Sequence, residues 1–213
     1  MTIDDKYLIV LGAGPQQLIV FEYARNLDIK TIALDYDENA IGLSKATKSI
    51  VVQIRNSLDC IKKLKEIELE YLGIIAYGIE LVPVLSDIAN EFDLVSVSKK
   101  VAYRTTNKCA RSICLKERGI PIPKFEVKST PKFPQISLPF VVKPSDSSGS
   151  RGVRLVREVS EWMSSYEEAM YISSDGKVIV EEFVEGKEIS IEGFMYDGNM
   201  AIYGFSDRNF ISN

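Results

Sequence analysis

The run Tyr7-Leu8-Ile9-Val10-Leu11-Gly12 is apolar without alternation, and this restricts where it can lie. A strand that is apolar toward both faces belongs in a parallel sheet covered by helices front and back. The next thirty residues fit such a sheet. Gly12-Ala13-Gly14-Pro15 is a tight turn, and Pro15 suits the first turn of a helix. Leu18, Ile19, Ala24 and Leu27 then recur at near-helical spacing through Asp28. Thr31–Asp35 reads as a second strand, Ser49–Ile54 as a third, and Gly73–Gly78 as a fourth. A helix over 57–69 carries Lys62, Lys63, Lys65, Glu66 and Glu68 on a solvated face. Another, over 80–92, buries Leu81, Val84, Leu85, Ile88 and Ala89. Leu94–Val97 is expected to add a short fifth strand. The alternation predicts an α/β layer domain over residues 1–100.

Gly12-x-Gly14-x-x-Gln17 has the first two glycines of a dinucleotide fingerprint and lacks the third. Asp35 ends the second strand where that motif places its ribose-binding acid. Two readings stay open: a nicotinamide-dependent oxidoreductase, or a structural turn or small-anion site.

Composition narrows the chemistry. The chain has 213 residues, 46% hydrophobic and 26% charged, with a net charge of -4. That slight acidity gives no reason to expect nucleic acid or an anionic membrane as partner. No apolar run approaches the roughly 20 residues needed to span a bilayer, and the start lacks a signal-peptide pattern, so the cytoplasm is the default compartment. The three cysteines, Cys60, Cys109 and Cys114, fit no zinc spacing and are expected at half-buried helix positions. Histidine is absent from the sequence. That excludes Ser–His and Cys–His triads and a histidine base, leaving Lys, Arg, Asp, Glu, Ser, backbone amides and a bound metal.

Ser98–Thr106 reads as a polar, cationic connector and the domain boundary. Asn107–Arg118 reads as a helix with Asn107 as N-cap and Gly119 just past its end. Beyond it the pattern changes. Five prolines punctuate 121–139, and strands are expected at 140–142, 152–156, 178–183, 188–195 and 200–205, with a helix over 158–171 and a hairpin turn at Asp197-Gly198-Asn199. This half reads as antiparallel α+β.

Its centre is Pro139-Phe-Val-Val-Lys143-Pro144, a short buried strand that delivers a lysine into the loop Ser145–Gly152, with Arg151 and Arg154 nearby. Amides, hydroxyls and glycines without bulk suit a cover over phosphates, and equally a polar hairpin turn. Other residues favour the phosphate cover. Lys108 opens a helix, where a cation calls for an anion nearby. Val178–Val184 is apolar, then doubly acidic (Glu181, Glu182), then apolar again, and Glu188 follows Gly186.

Thr106-Asn107-Lys108, Lys143-Pro144, Ser145–Gly152 and Val180-Glu-Glu-Phe-Val-Glu-Gly-Lys-Glu-Ile-Ser190 together resemble the ATP-grasp superfamily. Leu11-Gly-Ala-Gly14 and Asp35–Ala40 resemble its pre-ATP-grasp domain. The branch with biotin carboxylase, carbamoyl phosphate synthetase and the purine-pathway ligases looks most similar, as do carboxylate–amine ligases of peptide biosynthesis. The resemblance implies a pre-ATP-grasp domain (1–100), a nucleotide-lid subdomain (101–186) and the start of a C-terminal subdomain (187–213). It implies that Lys108 and Lys143 contact ATP phosphates. Ser147, Ser148, Gly149, Ser150 and Gly152 match the loop that closes over them. Glu181, Phe183 and Val184 match the adenine hinge, and Glu188 the ribose-binding acid. Glu182, the outward neighbour in the strand, is left out.

The implied reaction is ATP-dependent joining of a carboxylate to an amine or a thiol through an acyl phosphate. The implied partners are ATP and small-molecule carboxylate and amine substrates, with a homodimer left open. The family's Mg2+ ligands would lie past Asn213, since Asp207, Arg208 and Asn209 do not form their motif. The chain is therefore expected to be a fragment of a longer ligase. A non-catalytic ATP-binding module is the further alternative. An empty 147–151 loop is expected to be mobile.

Overall fold

The computed structural model describes residues 5–207. Four parallel strands, β1 (Tyr7–Leu11), β2 (Lys30–Asp35), β3 (Lys48–Val51) and β4 (Tyr71–Ala76), form a sheet in the order β3-β2-β1-β4. The unbroken apolar run of β1 is explained by its two covers. Ile9 and Leu11 join Ile32 and Leu34 in a core closed by α2 (Ser57–Glu66) and α3 (Val82–Glu91), through Cys60, Leu64, Val84 and Ile88. Val10 and Ala33 face the opposite way, onto Phe21 of α1 (Leu18–Asn26).

Two expectations fail in the next segment. Leu94–Val97 is not a strand. Val95 is 94% exposed, and the Val97 carbonyl accepts from the Ser86 hydroxyl, so its backbone is satisfied by a side chain and not by a ladder. The connector is a helix, α4 (Lys99–Thr106), whose start is capped by the Ser98 hydroxyl accepting from the Val101 N–H. It leads directly into α5 (Lys108–Glu117), capped by the Asn107 side chain accepting from the Ala110 N–H at 2.9 Å. Gly119 has a φ of +68°, as the position after a helix end requires. All three cysteines lie on helices. Cys60 and Cys109 are buried, and desolvation pushes both thiols up to about 11, which favours the protonated form.

The second sheet is antiparallel, in the order β5-β8-β6-β7: β5 (Phe125–Lys128), β6 (Phe140–Pro144), β7 (Arg154–Val156) and β8 (Val178–Glu182). Its two faces do different jobs, because side chains alternate along each strand. Phe140, Val142, Val156, Val178 and Val180 pack under α6 (Trp162–Ile172), against Trp162, Tyr166 and Ala169. Trp162 stands edge-on to Phe140 and Phe133 at 5.9 Å between ring centres, and its indole N–H donates to the Pro131 carbonyl at 3.0 Å. Val141, Lys143, Leu155 and Glu181 fall in the opposite phase and look away from α6.

A separate hairpin ends the described chain, β9 (Ile189–Tyr196) with β10 (Asn199–Asp207). Its register puts Ile191 opposite Phe205 and Met195 opposite Met200, so one face is apolar, and these side chains are more than half exposed. No helix among the described residues is long and apolar enough to cross a membrane.

Candidate functional site

The face of the second sheet turned away from α6 floors a cleft of about 880 Å³. Val141 and Leu155 form its apolar floor, and Lys143 and Glu181 rise from the same face. The register explains that neighbourhood. Glu181 lies across from Val141 and Lys143 across from Ile179, so the two charged residues are diagonal neighbours. They form an ion pair with side chains only 26% and 16% exposed.

The start of α5 supplies the second cation. The Lys108 backbone N–H donates to the Ser145 carbonyl at 2.6 Å, which pins the first turn of α5 to the end of β6. Its ammonium donates to the Ser147 carbonyl at the base of the Ser/Gly loop. Arg111, one turn further along α5, lines the same cleft. Burial holds the Lys108 ammonium below the usual lysine range, and the positive charges of Arg111 and Lys143 push it the same way, against Asp146 and Glu80. A half-buried lysine at a positive helix end, beside two more cations, lacks a full counter-charge.

The loop roofs this cluster with Ser147, Ser148, Gly149 and Ser150. Gly149 and Ser150 have φ values of +64° and +56°, a turn that presents successive amides. The far wall is the exit of β8, with Glu182, Phe183, Val184 and Glu188, and Glu80 enters from the first sheet's side.

A profile of the ATP-grasp domain family matches residues 136–213, from just before β6 through the loop, β8 and the hairpin. The formate-dependent phosphoribosylglycinamide formyltransferase of Prochlorococcus marinus subsp. pastoris is 28% identical over 193 residues, 84% of this chain and 48% of that protein. The same-named protein of Wolinella succinogenes is 26% identical over 185 residues, 83% of this chain and 47% of its own. Residues 136–213 match the ATP-grasp domain.

Solved structures agree on the fold of the chain. An L-amino acid ligase from Bacillus licheniformis superposes with a TM-score of 0.80 at 20% identity, over 95% of this chain and 50% of that one. The N5-carboxyaminoimidazole synthetase of Staphylococcus aureus complexed with ADP gives 0.78 at 14% identity, over 97% and 55%. The chain thus spans about half the length of the curated relatives it matches, 48% for the first.

Of the residues singled out in the sequence, Lys108, Lys143, Ser147, Ser148, Gly149, Ser150, Glu181, Phe183, Val184 and Glu188 all line the cleft. Gly152 does not. It is buried at the loop's far end, where an added Cβ would meet Ile172 Cδ1 at 2.7 Å and Pro144 Cγ at 2.9 Å, so it anchors the loop. Arg154 also points elsewhere, into a two-pronged pair with Glu168 of α6. Glu182, set aside on strand alternation, lines the rim and accepts from the Lys124 N–H at 3.3 Å. Arg111 went unremarked, although its i+3 spacing from Lys108 is a readable signal.

The Gly12–Gly14 turn borders a second hollow of about 510 Å³ with Asp35, Tyr36, Asp37 and Ile79. Its amides are already engaged. The Asp35 carboxylate accepts from the Ala13 N–H at 2.6 Å and the Asp37 N–H at 3.0 Å, and Gln17 Oε1 accepts from the Gly14 N–H at 2.9 Å. Gln17 also donates to the Tyr77 carbonyl, so the residue that breaks the fingerprint ties β1's turn to β4's. A pyrophosphate at this turn would meet a carboxylate, which speaks against the nicotinamide reading. Among the described residues no group of three or more carboxylate, cysteine or histidine side chains is gathered as metal ligands.

Proposed function

We propose that the cleft binds ATP and that the chain is the nucleotide-gripping part of a ligase joining a carboxylate to an amine, or less often a thiol. The observation that carries this reading is the meeting of Lys108, Arg111 and Lys143 under a loop of hydroxyls and amides, at one end of an apolar floor bordered by acids. A triphosphate satisfies the cations and loop donors together. The floor of Val141 and Leu155 suits a purine ring. The β8 exit, with Glu181, Phe183 and Val184, offers hydrogen-bonding groups to the base edge, and Glu188 a carboxylate for ribose hydroxyls.

The rest of the notional enzyme follows the same logic. The γ-phosphate is transferred to a carboxylate, and the amine displaces phosphate from the acyl phosphate. The work of these side chains is placement and charge neutralisation, which requires no histidine. The acceptor is proposed to approach from the hollow at the Gly12–Gly14 turn and Glu80, at the carboxyl ends of parallel strands. Residues 1–100, 101–186 and 187–213 are proposed as the substrate-side domain, the nucleotide lid and the first part of a closing subdomain.

Calorimetric titration of the chain tests the reading. Saturable heat with ATP and none with NADH is expected. Binding of NADH with silence toward ATP would sink it.

A further inference from the structure

Behind the cleft lies a polar knot that contributes no residue to its lining. Asp175 sits in the loop between α6 and β8. Its Oδ1 accepts from the Ser145 hydroxyl, from the Ser173 hydroxyl at 3.0 Å and from the Lys177 N–H at 3.1 Å. Its Oδ2 accepts from Asn107 Nδ2 at 2.9 Å. The three side-chain donors are all buried: Ser145 is 0% exposed, Asn107 3% and Ser173 9%. Next to the knot, the Asp146 carboxylate accepts from the Ser174 N–H at 3.2 Å and from its hydroxyl.

The positions of these partners matter. Asn107 immediately precedes Lys108 and caps its helix. Ser145 follows Lys143 by two residues, receives the Lys108 N–H on its carbonyl, and opens the Ser/Gly loop. One carboxylate thus fastens the two backbone stretches that carry the phosphate-side lysines. We infer that Asp175 is a positioning residue that fixes Lys108, Lys143 and the root of the Ser/Gly loop in one geometry for the triphosphate. This rests on the ATP reading of the cleft. Asp175 reaches the nucleotide only through Asn107 and Ser145, so its loss should act on the phosphate end and spare the nucleoside end.

Hydrogen-bond logic supplies the test. In Asp175→Asn, Oδ1 is kept for the two serines and Lys177, but an amide Nδ2 then faces Asn107 Nδ2, donor against donor. Flipping Asn107 only moves the conflict to the Ala110 N–H, which its Oδ1 now accepts. The exchange Asn107→Asp with Asp175→Asn restores every donor–acceptor pair with the charge moved across the contact. Calorimetry on the full chain with ATP and with adenosine reads the outcome.

In Asp175→Asn, ATP affinity should fall roughly tenfold or more while adenosine affinity changes less than about twofold. The exchanged double variant should recover ATP affinity to within about threefold of the parent. Equal losses for both ligands, unchanged ATP affinity in Asp175→Asn, or no recovery in the double variant would overturn the inference. If Asp175→Asn fails to fold, a folded double variant with near-parental ATP affinity supports the pairing, and one with an adenosine-only loss refutes it. Failure of the parent chain itself to bind ATP would instead remove the cleft assignment on which the inference stands.

Discussion

Lys143→Ala is expected to weaken ATP binding by roughly 30- to 1000-fold, the equivalent of about 2–4 kcal/mol for a charge removed from a largely desolvated contact. Two effects add in the same direction. The phosphates lose their cation, and Glu181 loses its partner in a place where its side chain is only 16% exposed. An unpaired carboxylate then repels the incoming polyanion. Lys143→Arg keeps the charge on a longer, planar head and should recover part of the loss. Isothermal titration of the three proteins measures this, with thermal unfolding as a check on the fold. Parental ATP affinity in folded Lys143→Ala would place the phosphates elsewhere.

Lys108→Met should part binding from stability. The ammonium is held below its ordinary range by burial first and by Arg111 and Lys143 second, so the folded chain bears a cost for its charge that the unfolded chain does not. Methionine keeps the length and removes the charge. The expected result is at least a tenfold loss of ATP affinity with an unchanged or raised unfolding midpoint. The sign of the pH dependence follows from the depressed lysine. Its cost is complete below the folded-state value and is relieved as pH rises through that value toward roughly 10, where the unfolded lysine also loses its proton. Any stability gain in Lys108→Met should therefore be largest near neutrality and shrink in alkali. A midpoint that drops as far as in Lys143→Ala would show the ammonium's bond to the Ser147 carbonyl outweighing the crowding of charge.

Much of this architecture was legible because burial leaves period and composition behind. β1 reads as a parallel, doubly covered strand since Ile9, Val10 and Leu11 are all 0% exposed. Asp197-Gly198-Asn199 marks its hairpin through turn chemistry, with φ of +47° and +74° at the first two positions. α4 was missed because two lysines open it and Ala102 is its one buried residue, a face too narrow to make a pattern. Leu94–Val97 misled in the opposite way, because Val95 and Val97 are apolar yet exposed while Leu94 packs on the first core. In the site, lysines and the Ser/Gly loop announce themselves by type. Pairing does not. Glu181 meets Lys143 only through strand register, and Asp175 gathers donors that lie 30 and 68 positions away in the chain. Gly152 shows the limit of composition, since it is packed at the loop's end while Gly149 of the same loop lines the cleft.

The chain's single tryptophan is Trp162, 4% exposed beneath the face of the second sheet opposite the cleft. Its indole is locked among Phe133, Phe140 and Tyr166, belongs to the core under α6 and is not among the residues that line the cleft. Emission excited at the red edge, where tyrosine is dark, therefore watches one core alone. Loss of the α6 packing would shift its colour, whereas melting of the first hundred residues would pass unseen unless the two cores let go together. The molecule carries a built-in optical measure of how strongly its halves are coupled.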